Sequence, residues 1–165
     1  MQMNVAAFRH FYEYHFAENR QLLENYVAQL SDEQFVQEVV YSLGSVRNQL
    51  VHLMSVDQTW FSGLRGIEFP EPLDPNAFPN LATLRSYWAG VEAMMREYLA
   101  NLQDADLQTK PLDGEDENLI VWQVLLQVVN HGTDHRAQVL RMCHDFGVKT
   151  SSQDYIFYVY ANPSA

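Results

Sequence analysis

The stretch Val121-Trp122-Gln123-Val124-Leu125-Leu126-Gln127-Val128-Val129-Asn130-His131-Gly132-Thr133-Asp134-His135 decides the fold class. Its apolar pattern has the period of a helix and runs on to a stop at Gly147, which predicts a helix from about Leu119 to Phe146. The same period recurs upstream. Phe8, Phe11, Tyr12, His15, Asn19, Leu22, Leu23, Tyr26 and Leu30 form one stripe on a long first helix. Ser31-Asp32-Glu33-Gln34 has the form of a capping box and opens a short helical turn. Tyr41 to Ser45 is a break, after which Val46 to Leu64 reads as a second long helix. Ser42 or Ser45 is its expected N-cap, and Gly63 and Gly66 are expected to close it.

Between Glu68 and Asn80 stand four prolines, at 70, 72, 75 and 79, so this segment is a loop, long enough to cross a bundle end. Asn80 caps a third long helix reaching about Leu102, with Leu84, Tyr87, Trp88, Val91, Met94, Met95, Tyr98 and Leu102 on its inner stripe. Gln103 to Asn118, acidic and carrying Pro111 and Gly114, connects it to the last long helix. The tail Tyr155-Ile156-Phe157-Tyr158-Val159-Tyr160 is too aromatic to leave in water and is expected to pack on the rest. Helices of about twenty residues are about 30 Å long and bury their stripes best against one another. The expected fold is all-α, a four-helix bundle.

The chain has 165 residues, which predicts one domain over 1–165. Apolar residues make up 47% and charged residues 19%, enough for a core and too little charge for a disordered chain. Ten Lys and Arg against 21 Asp and Glu give a net charge of −11, which argues against nucleic acid and against an anionic membrane surface as partners. The single cysteine, Cys143, leaves no internal disulfide and fits a reducing compartment. It reads as a buried small hydrophobe. No run is apolar enough to span a membrane, and the first twenty residues do not resemble a signal peptide, so a cytoplasmic location is expected.

Chemistry is concentrated in the histidines, of which there are six. His131 and His135, four apart on one helix, project about 40° from each other and can share one metal ion. Two unconnected polar positions would give the same spacing. The apolar context decides against that, because buried imidazoles need a metal or a hydrogen-bond network. Gly132 sacrifices helix propensity between them, which suits close packing or an open space for a ligand. His52, out of pattern between Leu50-Val51 and Leu53-Met54, is the best third donor; its alternative reading is a satisfied core histidine. Three neutral imidazoles leave open positions on the ion, as catalytic sites do.

His15 lies on the core stripe of the first helix, where packing in the core is weighed against an approach to the metal or substrate pocket. His10, about 140° round the helix from it, cannot pair with it. His144 suits the helix C-terminus. Asn130, Asp134 and Gln138 flank the ligand pair and are candidates for orienting an imidazole or a bound water.

Gly44-Ser45-Val46-Arg47-Asn48-Gln49-Leu50-Val51-His52, followed by Val129-Asn130-His131-Gly132-Thr133-Asp134-His135-Arg136-Ala137-Gln138, resembles the DinB family, as does the first helix with Ala17-Glu18-Asn19-Arg20-Gln21-Leu22-Leu23. The resemblance covers most of the chain. It implies a bundle of up-down-down-up topology, a divalent metal held by His52, His131 and His135, and a homodimer. Activities in that superfamily include transfer and isomerisation dependent on low-molecular-weight thiols, and the family is named for genes induced by DNA damage.

The expected function is therefore that of a metal-dependent thiol S-transferase acting on small electrophilic molecules, with Zn, Ni or Fe as the ion. Three imidazoles also suit Cu. A metal-dependent hydrolase is the alternative, with Asp134 the one carboxylate beside the ligands. A stress-induced metal-binding protein without turnover is the third reading.

Overall fold

Short polar side chains set the helix starts. Asn4 accepts a hydrogen bond from the Ala7 amide, Ser45 from Asn48 and Asn80 from Thr83, each satisfying a backbone N–H that has no partner in the first turn. Ser31 and Gln34 form the reciprocal capping box. The structure, a computed structural model, describes residues 4–163. It contains α1 (Val5–Gln21), α2 (Asp32–Val36), α3 (Val46–Leu64), α4 (Leu81–Asn101), α5 (Val121–Asp145) and α6 (Tyr155–Ala161). No strand occurs among the described residues, and no helix among them is long and apolar enough to cross a membrane. The fold is all-α.

The long helices α1, α3, α4 and α5 enclose a core that includes Phe8, Tyr12, Phe16, Leu50, Leu53, Met54, Phe61, Trp88, Met95, Leu125, Val128 and Val139. Each fully buried side chain of this kind contributes about 1.5–3 kcal/mol relative to exposure, so the stripes rather than helix propensity hold the molecule together.

Side-chain contacts fix the direction of each helix. Arg9, near the start of α1, donates to the carbonyls of Leu99, Ala100 and Leu102 at the end of α4, where a cation also offsets the helix dipole. Tyr12 donates to the Leu125 carbonyl early in α5, and Asn19 meets Arg136 further along both helices, so α1 and α5 run together. On α3, Gln49 lies against Gln138 and His52 against His131, so α3 runs against α5. Tyr87 bonds Gln58 and Arg65 pairs with Glu97, so α3 and α4 run the same way, joined by the proline loop.

Several details depart from the sequence reading. The first helix does not stay α-helical to Leu30: it widens into a π turn over Leu22–Tyr26 and tightens to 3₁₀ over Val27–Gln29. Leu22, Leu23, Tyr26 and Val27 all reach the core through this widened segment. Ser45, not Ser42, caps α3. Gly63 lies inside α3, with no room for a side chain against Phe69 and Leu112, and Gly66, at a φ of +67°, follows its end. Tyr87 is exposed rather than inward, stacked edge-on against Phe78. The aromatic tail packs only in part. Tyr155 and Tyr158 sit against His10 and Tyr14, while Ile156, Phe157 and Tyr160 face solvent.

Candidate metal centre

His52 is the seventh residue of α3; His131 and His135 lie in the middle of α5, one turn apart. Because α3 and α5 are antiparallel neighbours, the three rings meet across the groove between them. Ring centroids are 4.1 Å apart for His131 and His135, 4.6 Å for His52 and His135, and 5.1 Å for His52 and His131. One nitrogen of each lies within 4.8 Å of the others, and the Nε2 atoms of His52 and His131 are 3.2 Å apart. A tetrahedral ion with bonds of about 2.0–2.1 Å to nitrogen would hold its ligands about 3.3 Å from one another. The His52–His131 spacing is close to that, and the three histidines could hold a metal ion. All three are half-buried.

The electrostatics agree. Burial lowers the pKa of His131 to about 4, helped by the neighbouring His135 and His52, with Asp134 opposing. Burial and the His135 ring lower His52, and burial lowers His135 against the pull of Asp134. Burial, the largest cause in each, disfavours imidazolium and outweighs Asp134, so the rings are neutral near pH 7 and present lone pairs. The Nδ1 of His131 is buried without a partner, which leaves Nε2, the atom facing His52, as its outlet.

The flanking candidates separate. Gln138 donates to the Asp134 carboxylate at 3.1 Å and also meets Ser42 and Gln49. Asp134 is exposed. Asn130 is exposed too and lines a groove of about 420 Å³ with Phe11, Trp122 and Leu126 on the α1–α5 side. His15 does not join the three rings. It is fully buried, with Arg136 donating to its Nδ1 at 3.1 Å and Asp57 3.5 Å from its Nε2. Since Arg136 can only donate, His15 Nδ1 accepts, while its Nε2 faces both the Asn19 amide at 3.2 Å and the Asp57 carboxylate. Burial nevertheless outweighs the Asp57 carboxylate and lowers the His15 pKa, keeping the ring neutral.

Gly132 makes this arrangement possible. A Cβ there would stand 2.5 Å from His15 Cε1 and 2.9 Å from Arg136 Nη1, so the missing side chain admits the His15 ring rather than a ligand. Arg136 further donates to Asn19, Thr133 and Gln153, tying α5 to α1 and to the segment before α6. Cys143 is fully buried and burial pushes its thiol to about 12, which removes it as a nucleophile. His10 bonds the Tyr155 hydroxyl.

Four residues near the site escape a reading of the sequence: Gln49, Ser42, Asp57 and Arg136. Gln49 could have been noticed, being a polar residue three before His52 and therefore on the same helix face. Asp57 and Arg136 carry no such signal, because charges on a helix ordinarily face water. A groove of about 690 Å³ between α1 and the residues from Ser151 to Asn162 is lined by none of the three histidines.

Comparison with known proteins agrees with the geometry. The family model described as "DinB family" matches residues 1–164. The chain is 26% identical over 161 residues to Protein DinB of Bacillus subtilis (strain 168), covering 90% of this chain and 91% of that one. Its fold matches the crystal structure of a DinB-like protein from Bacillus cereus ATCC 10987 with a TM-score of 0.76 at 18% identity, over 92% of this chain and 99% of the other. A family match over nearly the whole length, joined to an all-helical fold with three converging imidazoles, makes this chain a member of the DinB family.

Proposed function

We propose that the protein binds one divalent ion through His52, His131 and His135 and uses it as a thiol S-transferase on small electrophilic molecules. The observation that supports this reading most is the convergence of three neutral, half-buried imidazoles from two helices. Zn, Ni or Fe suits the donor set, and a bound ion would lower the pKa of a coordinated thiol so that thiolate is present near neutral pH. The thiol comes from a low-molecular-weight cosubstrate, since Cys143 is sealed in the core. The histidines would hold the ion; Gln49 of α3 touches the His135 ring and is itself bonded by Gln138 of α5 and by Ser42.

Hydrolysis fits the residues less well. It needs a base beside the ion, and Asp134 is exposed with Gln138 donating to it, while Asp57 is fully buried beside His15. A homodimer is part of the proposal, with the exposed Ile156, Phe157 and Tyr160 of α6 contributing to its interface, and so are a cytoplasmic location and a role under stress.

Elemental analysis of protein expressed without added metal tests the site: about one equivalent of a divalent ion is expected, and His131→Ala should lose it. A stoichiometric ion retained in that variant would overturn the assignment. Metal-loaded protein offered thiols of several kinds and a reactive electrophile should form the thioether; loading without any turnover would leave a metal-binding protein of the non-catalytic kind.

A further inference from the structure

Behind His135 stands a chain of amides that the three-histidine description does not use. Gln49 is completely buried, an unusual place for an amide on a helix with a full apolar stripe. Its side chain lies against His135 Nδ1, and its –NH₂ donates to the Gln138 carbonyl at 2.9 Å. Ser42 donates to the Gln49 carbonyl at 3.0 Å and also touches Gln138. Ser42 reaches both from a φ of +48°, a conformation that costs a non-glycine residue about 1–3 kcal/mol and persists only where its surroundings enforce it. The Val39 amide bonded to the Gly44 carbonyl, and the Asn48 side chain donating to the Leu43 carbonyl, provide that enforcement.

The donors and acceptors of this chain can be counted. The Asp134 carboxylate only accepts, so Gln138 turns its –NH₂ towards it and its carbonyl towards Gln49. The –NH₂ of Gln49 then faces His135, whose Nδ1 accepts and whose proton sits on Nε2. A cation at Nε2 requires the other tautomer, with the proton on Nδ1 and an acceptor beside it. The ring stays neutral in both. Turning the Gln49 and Gln138 amides over together supplies that acceptor: the Gln138 –NH₂ then donates to the Gln49 carbonyl, the Gln49 –NH₂ meets the Ser42 oxygen, and the exposed Asp134 carboxylate is left to water.

From this juxtaposition we infer that Gln49, clamped by Ser42 and Gln138, is the positioning residue of the centre: it seats His135 by Nδ1, leaves Nε2 for the cation, and reverses its amide together with that of Gln138 when the cation enters. The inference rests on the metal-site reading above and extends it to residues that touch no ion.

The test uses full-length protein freed of metal and titrated with Co²⁺, read by calorimetry, by the visible ligand-field bands, and by the exchangeable ring N–H resonances that Co²⁺ displaces. Gln49→Leu should bind Co²⁺ about tenfold to a hundredfold more weakly, with altered bands and with the His135 Nδ1 proton exchanging fast with water. Gln49→Glu, a pure acceptor, should bind within a few-fold of the unmodified protein and keep that proton protected. If Gln49→Leu does not fold, judged by its thermal melt, Gln49→Met carries the same expectation. A Leu or Met variant within twofold of the unmodified protein with unchanged bands overturns the inference, as does a Glu variant as weak as Leu. Unmodified protein that binds no Co²⁺ would remove the metal-site reading and this one together; binding that is indifferent to residue 49 removes this one alone.

Discussion

Residues 135 and 136 are neighbours in the chain and project about 100° apart round α5. His135 turns to the groove and its two partner rings, while Arg136 turns into the core and bonds His15, Asn19, Thr133 and Gln153. An arginine with 1% exposure is tolerated because its donors are met and because Asp57, itself fully buried, adds a favourable charge. Gly132 is the hinge of this packing. Gly132→Ala would gain about 1 kcal/mol of helix propensity, but the added methyl meets the His15 ring, which Arg136 and Asn19 hold in place. The expected result is a net loss of about 1–3 kcal/mol, the cost of overpacking, measured as a lower denaturation midpoint in urea. A midpoint equal to or above that of the unmodified protein would mean that the ring can move aside. The histidine pair was legible in the sequence because its spacing is geometric. The role of Gly132 was legible only as a gap; that the gap holds His15 depends on α1 lying beside α5, which no local pattern encodes.

Among the elements, the long helices were readable for two reasons. Their stripes repeat at helical period over seventeen residues or more, and the starts of α1, α3 and α4 carry short polar caps, whereas α5 opens at Ile120. The π turn at Leu22–Tyr26 was not readable, since apolar residues at 22, 23, 26 and 27 suit a uniform stripe and a widened turn alike. The tail shows the other limit. Its aromatic composition predicted burial, yet α6 has no fully buried residue and is attached mainly through the rings of Tyr155 and Tyr158 and the bond from Tyr14 to the Gln153 carbonyl. With so little area withdrawn from water, α6 should open locally far more often than α5. Hydrogen exchange should therefore show its amides exchanging orders of magnitude faster than those of Val124 to Val139, in protein dilute enough to be monomeric. Equal protection in the two helices would contradict the packing described here. At high concentration, protection that appears on α6 would mark the surface through which two copies meet.

For the whole molecule, the buried neutral histidines couple stability to pH. His131 has a folded pKa of about 4 against 6.5 for an unperturbed ring, and His15 is shifted in the same direction. Between these values the unfolded chain takes up protons that the folded chain refuses, so the stability of the metal-free protein is complete above about pH 6.5 and falls as pH drops towards 4. Urea midpoints measured across this range should decline with acidification, and His131→Asn should flatten the decline. A profile that is level from pH 7 to 4 would contradict the burial of these rings. Metal-loaded protein should melt at a higher temperature, increasingly so with free ion, and lose that advantage as protons compete for the ligands. The overall architecture could be anticipated from periodicity and loop composition, whereas the division of the polar interior into a cation seat and a separate buried cluster could not, since both draw on the same α5 residues. That division has a mechanical consequence. The arginine bolted between two helices sets the azimuth of α5 about its own axis, and with it the aim of both ring nitrogens on the other side. The seat is thus keyed by the scaffold before anything occupies it, and filling or emptying it should leave the far-ultraviolet dichroism of the protein unaltered.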